Sequence, residues 1–175
     1  YIPVLMSALV VGITINWMFS QEYGLINFII QSFGGTPLEW SLNSGLATFV
    51  IGFASVWASI GFNMIIYVGG INNISPDLYE AASIDGANSF QSFLRITVPM
   101  LSPTTFLVVL LSTVNLLKEY ALVQGITQGG PGLSTTYIIQ YIFDKGFNQM
   151  EYGYASAIST VVMIVFALIA YVQFK

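Results

Sequence analysis

Apolar residues follow one another almost without interruption over four stretches of this chain. These are Ile2 to Phe19, about Leu46 to Val68, about Met100 to Val123 and about Tyr154 to Phe174. At the helical rise of about 1.5 Å per residue, runs of this length suit helices that cross a hydrocarbon core roughly 30 Å thick. Asn63 and Asn115 interrupt the runs, but in lipid such groups turn toward other helices or an aqueous path. Three connections lie between the runs. The first, Ser20 to Gly45, holds the turn signal Gly34-Gly35-Thr36-Pro37, and the third, Gln124 to Gly153, holds Gly129-Gly130-Pro131-Gly132. The pattern predicts an all-α, polytopic transmembrane helical bundle of about four spans.

Composition strengthens that reading. Hydrophobic residues make up 55% of the chain and charged residues 7%, with a mean hydropathy of +0.77; soluble domains carry roughly a quarter charged residues. The absence of cysteine and histidine removes disulfides, thiolate chemistry, His-ligated metals and the usual neutral-pH general base. A net charge of −4 without any Lys/Arg cluster argues against nucleic acid. No positively charged segment precedes the first run, so it does not read as a signal peptide. A chain that opens at Tyr1 inside an apolar run is expected to be part of a longer polytopic protein, with N-terminal spans missing.

The second connection breaks the pattern. It carries Asp77, Glu80, Asp85 and Arg95, a third of the twelve charges in the chain. Ser75-Pro76 opens it as a helix cap and first turn. Asp77 and Glu80 follow where the helix dipole favours acids, and Leu78, Ala81, Ala82 and Ile84 give an apolar side. Gly86 permits a tight bend or a close backbone approach, and a second short helix is expected over about Ser89 to Ile96. Two short helices joined at a glycine make a compact knuckle outside the bilayer, built either to meet a partner or to float at the interface. Arg95 and Lys175 fall on the knuckle's side and Lys145 on the other, with Lys118 near it; the positive-inside rule gives the knuckle a slight preference for the cytoplasm. Trp17, Trp40, Tyr23, Tyr67 and Tyr152 are placed as interfacial belt aromatics.

Glu80-Ala81-Ala82, three residues, Gly86, nine residues, then Ile96-Thr97-Val98-Pro99 resembles the EAA loop of binding-protein-dependent ABC importer permeases. The family pattern has Leu where this chain has Val98. The resemblance implies that the loop, about residues 75–99, is the coupling-helix pair that docks on a separate ATP-hydrolysing subunit. Glu80, Ala81, Ala82, Asp85, Gly86, Ile96 and Pro99 would be its coupling residues. It implies a type I importer transmembrane domain that is not itself an enzyme. Such a chain binds no cofactor, the ATP and Mg being used by the partner ATPase. It would sit in a bacterial or archaeal cytoplasmic (inner) membrane among lipid, paired with a second permease subunit, homologous or identical, and served by a periplasmic or lipid-anchored solute-binding protein.

Gly24-Leu25-Ile26-Asn27, Trp57-Ala58-Ser59-Ile60-Gly61-Phe62-Asn63-Met64 and Ile74-Ser75-Pro76-Asp77-Leu78-Tyr79-Glu80 are similar to the carbohydrate-uptake permeases of maltose and glycerol-3-phosphate type. So is Thr127-Gln128-Gly129-Gly130-Pro131-Gly132, with Gln128 where the family has glycine. Ser55, Ser59 and Phe62 share one helix face at i, i+4 and i+7, and Asn115 and Glu119 are four apart with Leu116 beside them. By their distance from the EAA loop and the Gly-Gly-Pro turn they match sugar-contact positions of the maltose-type permease, and the resemblance makes them the substrate path. Hydroxyl, amide and carboxylate groups suit sugar hydroxyls, and an aromatic ring stacks on a sugar face. The residues alone leave a plainer reading open, with serines bonded to their own backbone, Asn115 joining helices and Lys118 snorkelling to the interface. Asp144 and Lys145, near Phe143 and Phe147, would either touch the binding protein or form an ordinary solvated helix end. The absence of a basic cluster along the spans speaks against an anionic sugar. An ATPase-independent carrier or channel for a small polar solute is the alternative, but it would bury an ionisable relay in its spans, and only Lys118 and Glu119 come near one.

Overall fold

A computed structural model describes residues 2–174, and those residues are helices joined by short connections. In order they are α1 (Ala8–Met18), α2 (Leu25–Ser32), α3 (Ser44–Asn72), α4 (Pro76–Ile84), α5 (Ser89–Ser92), α6 (Val98–Met100), α7 (Ser102–Leu117), α8 (Ala121–Ile126), α9 (Ile138–Phe143) and α10 (Tyr152–Phe174). A wide π-helical turn, Phe93–Thr97, joins α5 to α6, and a second one, Asp144–Asn148, follows α9. The all-α expectation holds.

The division into spans differs from four equal runs. Among the described residues α3 and α10 are each long and apolar enough to cross a membrane. Ser89–Met100 together with α7, bent by 60° between them, is long and apolar enough to make a third crossing if the pair acts as one span. Pro99 and Pro103 flank that bend; each lacks an N–H and crowds the carbonyl one turn back. The first run is split, because a 3-10 turn over Ile2–Leu5 ends before Ser7, whose Oγ accepts the Val10 N–H (3.3 Å) and restarts the chain as α1. Eleven residues of helix reach about 16 Å, half a bilayer core. The run expected over Met100 to Val123 also ends early, at Leu117. The charges of Lys118 and Glu119 follow, and Glu119 Oε1 accepts the Leu122 N–H (3.0 Å) at the start of α8. Lys175, used above for orientation, lies outside the described residues.

The core lies where α1, the first half of α3 and α8 meet. Val11, Ile15 and Phe19 recur at four-residue spacing along α1 and pack with Val50, Ile51 and Ala54 of α3 and Leu122 and Val123 of α8. What lets α8 approach is a pair of glycines. A Cβ built on Gly12 would stand 2.8 Å from Leu122 O and 2.9 Å from Gly125 Cα, and one built on Gly125 would stand 2.9 Å from Gly12 Cα and from Leu9 O. The Asn16 amide donates to the Ile126 carbonyl at the end of α8, satisfying an orphan acceptor.

On the same side of the molecule, Asn27 fastens the first connection. Only 2% exposed, it donates to Gln21 O (3.1 Å) and Leu38 O (2.9 Å) and accepts from Leu38 N (3.0 Å) and Trp40 Nε1 (2.9 Å). Trp40 is therefore a core residue, set edge-to-face on Phe19 at 5.0 Å, and leaves the set of belt aromatics. Tyr67 leaves it too, donating to Thr105 Oγ1 of α7 (3.4 Å). Trp17, Tyr23 and Tyr152 stay exposed. Lys145 and Asp144 are held locally. Lys145 pairs with Glu151 (3.3 Å) and donates to Gln149 Oε1 (2.7 Å), and Asn148 donates to Asp144 (2.7 Å), which is the helix-end arrangement.

Two expectations follow. Gly125→Ala forces backbone apart and should cost about 1–3 kcal/mol, whereas Gly52→Ala, with nothing within 4 Å of the new Cβ, should leave stability equal or raise it by up to about 1 kcal/mol. Asn27→Ala strands several buried polar groups and should cost on the order of 3 kcal/mol. Thermal unfolding of the purified permease in detergent checks both.

Candidate functional site

The knuckle is built from local signals. Ser75 Oγ accepts the Asp77 N–H (3.4 Å) and Pro76 occupies the first turn, so α4 starts where its caps dictate. It ends in a Schellman motif, with Gly86 N donating to Ser83 O (3.1 Å) and Ala87 N to Ala82 O (2.9 Å). That motif needs a left-handed residue, and Gly86 supplies it at φ 76°. No atom lies within 4 Å of a Cβ added there, so within this chain Gly86 serves the turn and not a close backbone approach. Asn88 and Gln91 then form a reciprocal capping box (Gln91 N to Asn88 Oδ1 2.9 Å, Asn88 N to Gln91 Oε1 3.0 Å) that starts the second helix. This helix continues past Ile96 to Met100 through the π-helical turn. One hydroxyl pair, Tyr79 OH and Thr97 Oγ1 at 2.8 Å, clips the outgoing helix to the returning one.

Of the seven residues expected to couple, Glu80, Ala81, Asp85, Gly86 and Pro99 are exposed, and Ala82 and Ile96 are half-buried. Glu80, Asp85 and Gly86 fall within the last turns of α4 and its Schellman turn, all exposed. Two apolar side chains stand out beside them, Ile84 at 86% exposure and Phe90 at 69%. Sequence reasoning had assigned Ile84 only to an apolar side; an isoleucine two places before a C-capping glycine, at the last turn of a short helix, has nothing left to pack on.

On the other side of the α3–α7 pair lies a cleft of about 910 Å³. Ser55, Ser59 and Phe62 from α3 line it, together with Asn115 and Leu116 from α7 and Glu119 beyond it. Residues chosen from two separate helices thus come together on one cavity. The polar lining residues that sequence reasoning missed are Asn63, Tyr67 and Ser112, and Pro3, Val4 and Met6 belong to a third wall. Continuing the four-residue spacing would have found the first three: Ser59, Asn63 and Tyr67 lie one turn apart, and Ser112 stands one turn before Asn115 and Leu116. Nothing in the sequence brings the first residues of the chain to this place.

The cleft offers donors and acceptors but little charge. Ser59 Oγ donates to Val56 O (3.1 Å), leaving its lone pairs available. Ser55 Oγ is buried without a partner. Lys118 and Glu119 are the charged residues of the lining, both at the end away from the knuckle. One Glu119 oxygen is committed to the Leu122 N–H. Outside the cleft lining, burial and the nearby Glu119 carboxylate hold the Tyr137 phenol above the usual tyrosine range. Close by, the Thr127–Gly132 turn is strapped by Thr135 Oγ1, which bonds Thr127 Oγ1 (2.8 Å) and donates to Gly130 O (2.7 Å). Gln128 stands there at φ 54°, a left-handed position where glycine would be unstrained.

The whole chain, residues 1–175, matches the family model described as "Binding-protein-dependent transport system inner membrane component". It is 33% identical over 180 residues to the arabinooligosaccharides transport system permease protein AraP of Bacillus subtilis, covering 100% of this chain and 56% of that protein. To the trehalose/maltose transport system permease protein MalF of Thermococcus litoralis it is 35% identical, covering 98% of this chain and 59% of that protein. A bacterial ABC transporter involved in the import of the acidic polysaccharide alginate shares the fold, with a TM-score of 0.89 at 24% identity, over 99% of this chain and 61% of that one. The chain spans about 60% of the length of the relatives it matches. It belongs to the binding-protein-dependent transport system inner membrane components.

Proposed function

We propose that this chain is part of the permease subunit of an ATP-driven importer, forming the membrane path for a sugar or oligosaccharide handed over by a solute-binding protein. The observation that carries the reading is the cleft. Five residues picked from two helices, with Glu119 just beyond α7, line one cavity of about 910 Å³, within the size range of small-molecule sites and set with hydroxyl and amide groups among apolar side chains. Two of the relatives are named for neutral sugars, arabinooligosaccharides and trehalose/maltose, and others for anionic solutes, sulfoquinovosyl glycerol and sn-glycerol-3-phosphate. One of the structural neighbours was seen in complex with a periplasmic protein holding an alginate pentasaccharide.

The knuckle is the lever in this reading. Both cleft walls run into it. α3 ends at Asn72, four residues before α4, and the returning helix bends by 60° into α7. The two walls are also pinned to each other near the knuckle, where a Cβ on Gly70 would fall 2.5 Å from Thr104 Oγ1 and where Tyr67 bonds Thr105. A push on Glu80, Ile84 or Gly86 by an ATPase subunit is therefore transmitted to Ser59 and Asn115 through helices, which are stiff. Hydrolysis, with its Mg and ATP, stays in the partner, and this chain performs no chemistry. A second permease completes the path. An ATPase-independent carrier would leave the capped, exposed knuckle without a role.

Gly86→Val places a β-branched residue at φ 76° and should destabilise the turn by about 1–2 kcal/mol. In proteoliposomes, Gly86→Val and Glu80→Lys should abolish sugar uptake and co-purification of the ATPase while the permease still inserts in the membrane. Normal uptake by both would sink the coupling assignment. Ser59→Leu and Asn115→Leu each remove hydrogen bonds worth roughly 1 kcal/mol. Each should raise the KM for uptake several-fold without changing the binding protein's own affinity, and an unchanged KM in both would remove the cleft from the path.

A further inference from the structure

The helix α2 is apolar on two sides. Ile26 and Ile30 pack on the core, and the polar Asn27 is buried with them at 2% exposure. Leu25, Phe28 and Ile29 stand outward, with Phe28 68% exposed, and lie at i, i+3 and i+4 on one face. Gln31 and Ser32 are exposed as well, but a connecting helix that met water along its outer side would not keep three large apolar residues there. Trp17 and Tyr23 stand exposed beside this face, and Trp17 and Phe28 line one shallow groove in which Glu22 is the only charged residue.

Geometry fixes the level of this surface. α1 ends at Met18 and α3 begins at Ser44, both at the end of the molecule opposite the knuckle. Between them α2 is tied down twice, by its short link to α1 and by the Asn27 bonds to Leu38 and Trp40. It cannot rise away from the rim of the bundle. The outward apolar residues of α1, Leu9, Ile13 and Trp17, recur every four residues, and Trp17 shares a groove with Phe28, so an apolar strip with Glu22 beside it runs from the body of α1 onto α2. Leu25, Phe28 and Ile29 offer no hydrogen-bond groups, and the polar atoms of the groove belong to Trp17, Glu22, Tyr23 and Gln31 beside the buried Asn27, side chains that lipid headgroups can meet.

We propose that α2 is an interfacial anchor, lying along the bilayer boundary with Leu25, Phe28 and Ile29 in the acyl region and Trp17 and Tyr23 at headgroup level. The anchor holds the start of α3 at a fixed depth, since Asn27 passes that position on to Trp40, which packs with Val50 and Ile51 of α3 in the core. Naming this the outer leaflet rests on the coupling reading of the knuckle; the lipid contact does not.

The test uses the full permease in its assembled complex, with cysteines elsewhere replaced. Phe28→Cys, and separately Leu25→Cys, carries an environment-sensitive NBD fluorophore, in vesicles of phosphatidylethanolamine and phosphatidylglycerol. The label at either position should emit to the blue of a control at the exposed Glu39→Cys and lose most of its intensity to nitroxide-bearing lipid, with little loss to aqueous iodide; Glu39→Cys should show the reverse. Quenching of both test positions by iodide alone would return the face to water. Protection from both quenchers would assign it to a protein partner, and either outcome overturns the anchor.

Discussion

The contact between Gly12 and Gly125 governs the upper half of this molecule. Two helix backbones meet there with no side chain between them, and that distance places α8, a helix of six residues too short to be stable alone, against α1. Once α8 is seated, Leu122 and Val123 reach the core, Glu119 caps the helix from below and Asn16 closes it from above. The wall of the cleft away from the knuckle is therefore a consequence of two missing side chains. Membrane helices lack a strong hydrophobic drive toward one another, and close backbone approach through small residues replaces it.

Polar groups in this fold are spent at joints. Asn27 knits the first connection, Tyr79 and Thr97 clip the knuckle, Thr127 and Thr135 strap the Gly-Gly-Pro turn, and Lys145 with Glu151 steadies the lead into α10. Between the joints, α3 and α10 present apolar surface on most sides. A molecule organised in this way is stiff along its helices and adjustable at their ends. That suits the proposed transfer of motion from the knuckle to Ser59 and Asn115.

Much of this was legible in the sequence wherever a signal is local. The knuckle's start at Ser75-Pro76 and its turn at Gly86 follow from caps and left-handed turns, while the serine, aromatic and amide positions of the cleft came from the family resemblance, helical spacing placing each set on one face. Each depends on residues within about two turns of one another. The all-α class followed from the length of the apolar runs. Those runs misled where a short polar event inside them went unweighed. Ser7 splits the first, and Glu119, read for its charge, is also the hydrogen-bond acceptor that ends one helix and begins the next.

What only the tertiary structure decided is contact between distant segments. Trp40 looked like a belt aromatic because indole suits an interface, and it is buried because an asparagine thirteen residues earlier accepts its N–H. Pro3, Val4 and Met6 line the cleft although no pattern ties them to α3 or α7. Gly12 and Gly125 are two of sixteen glycines, and nothing local marks them as partners. The sequence by itself determined the class of the chain, its knuckle and the chemistry of its faces, because periodicity and capping act over a few residues. Which faces meet is set by packing across more than a hundred residues of chain, and that is written only in three dimensions.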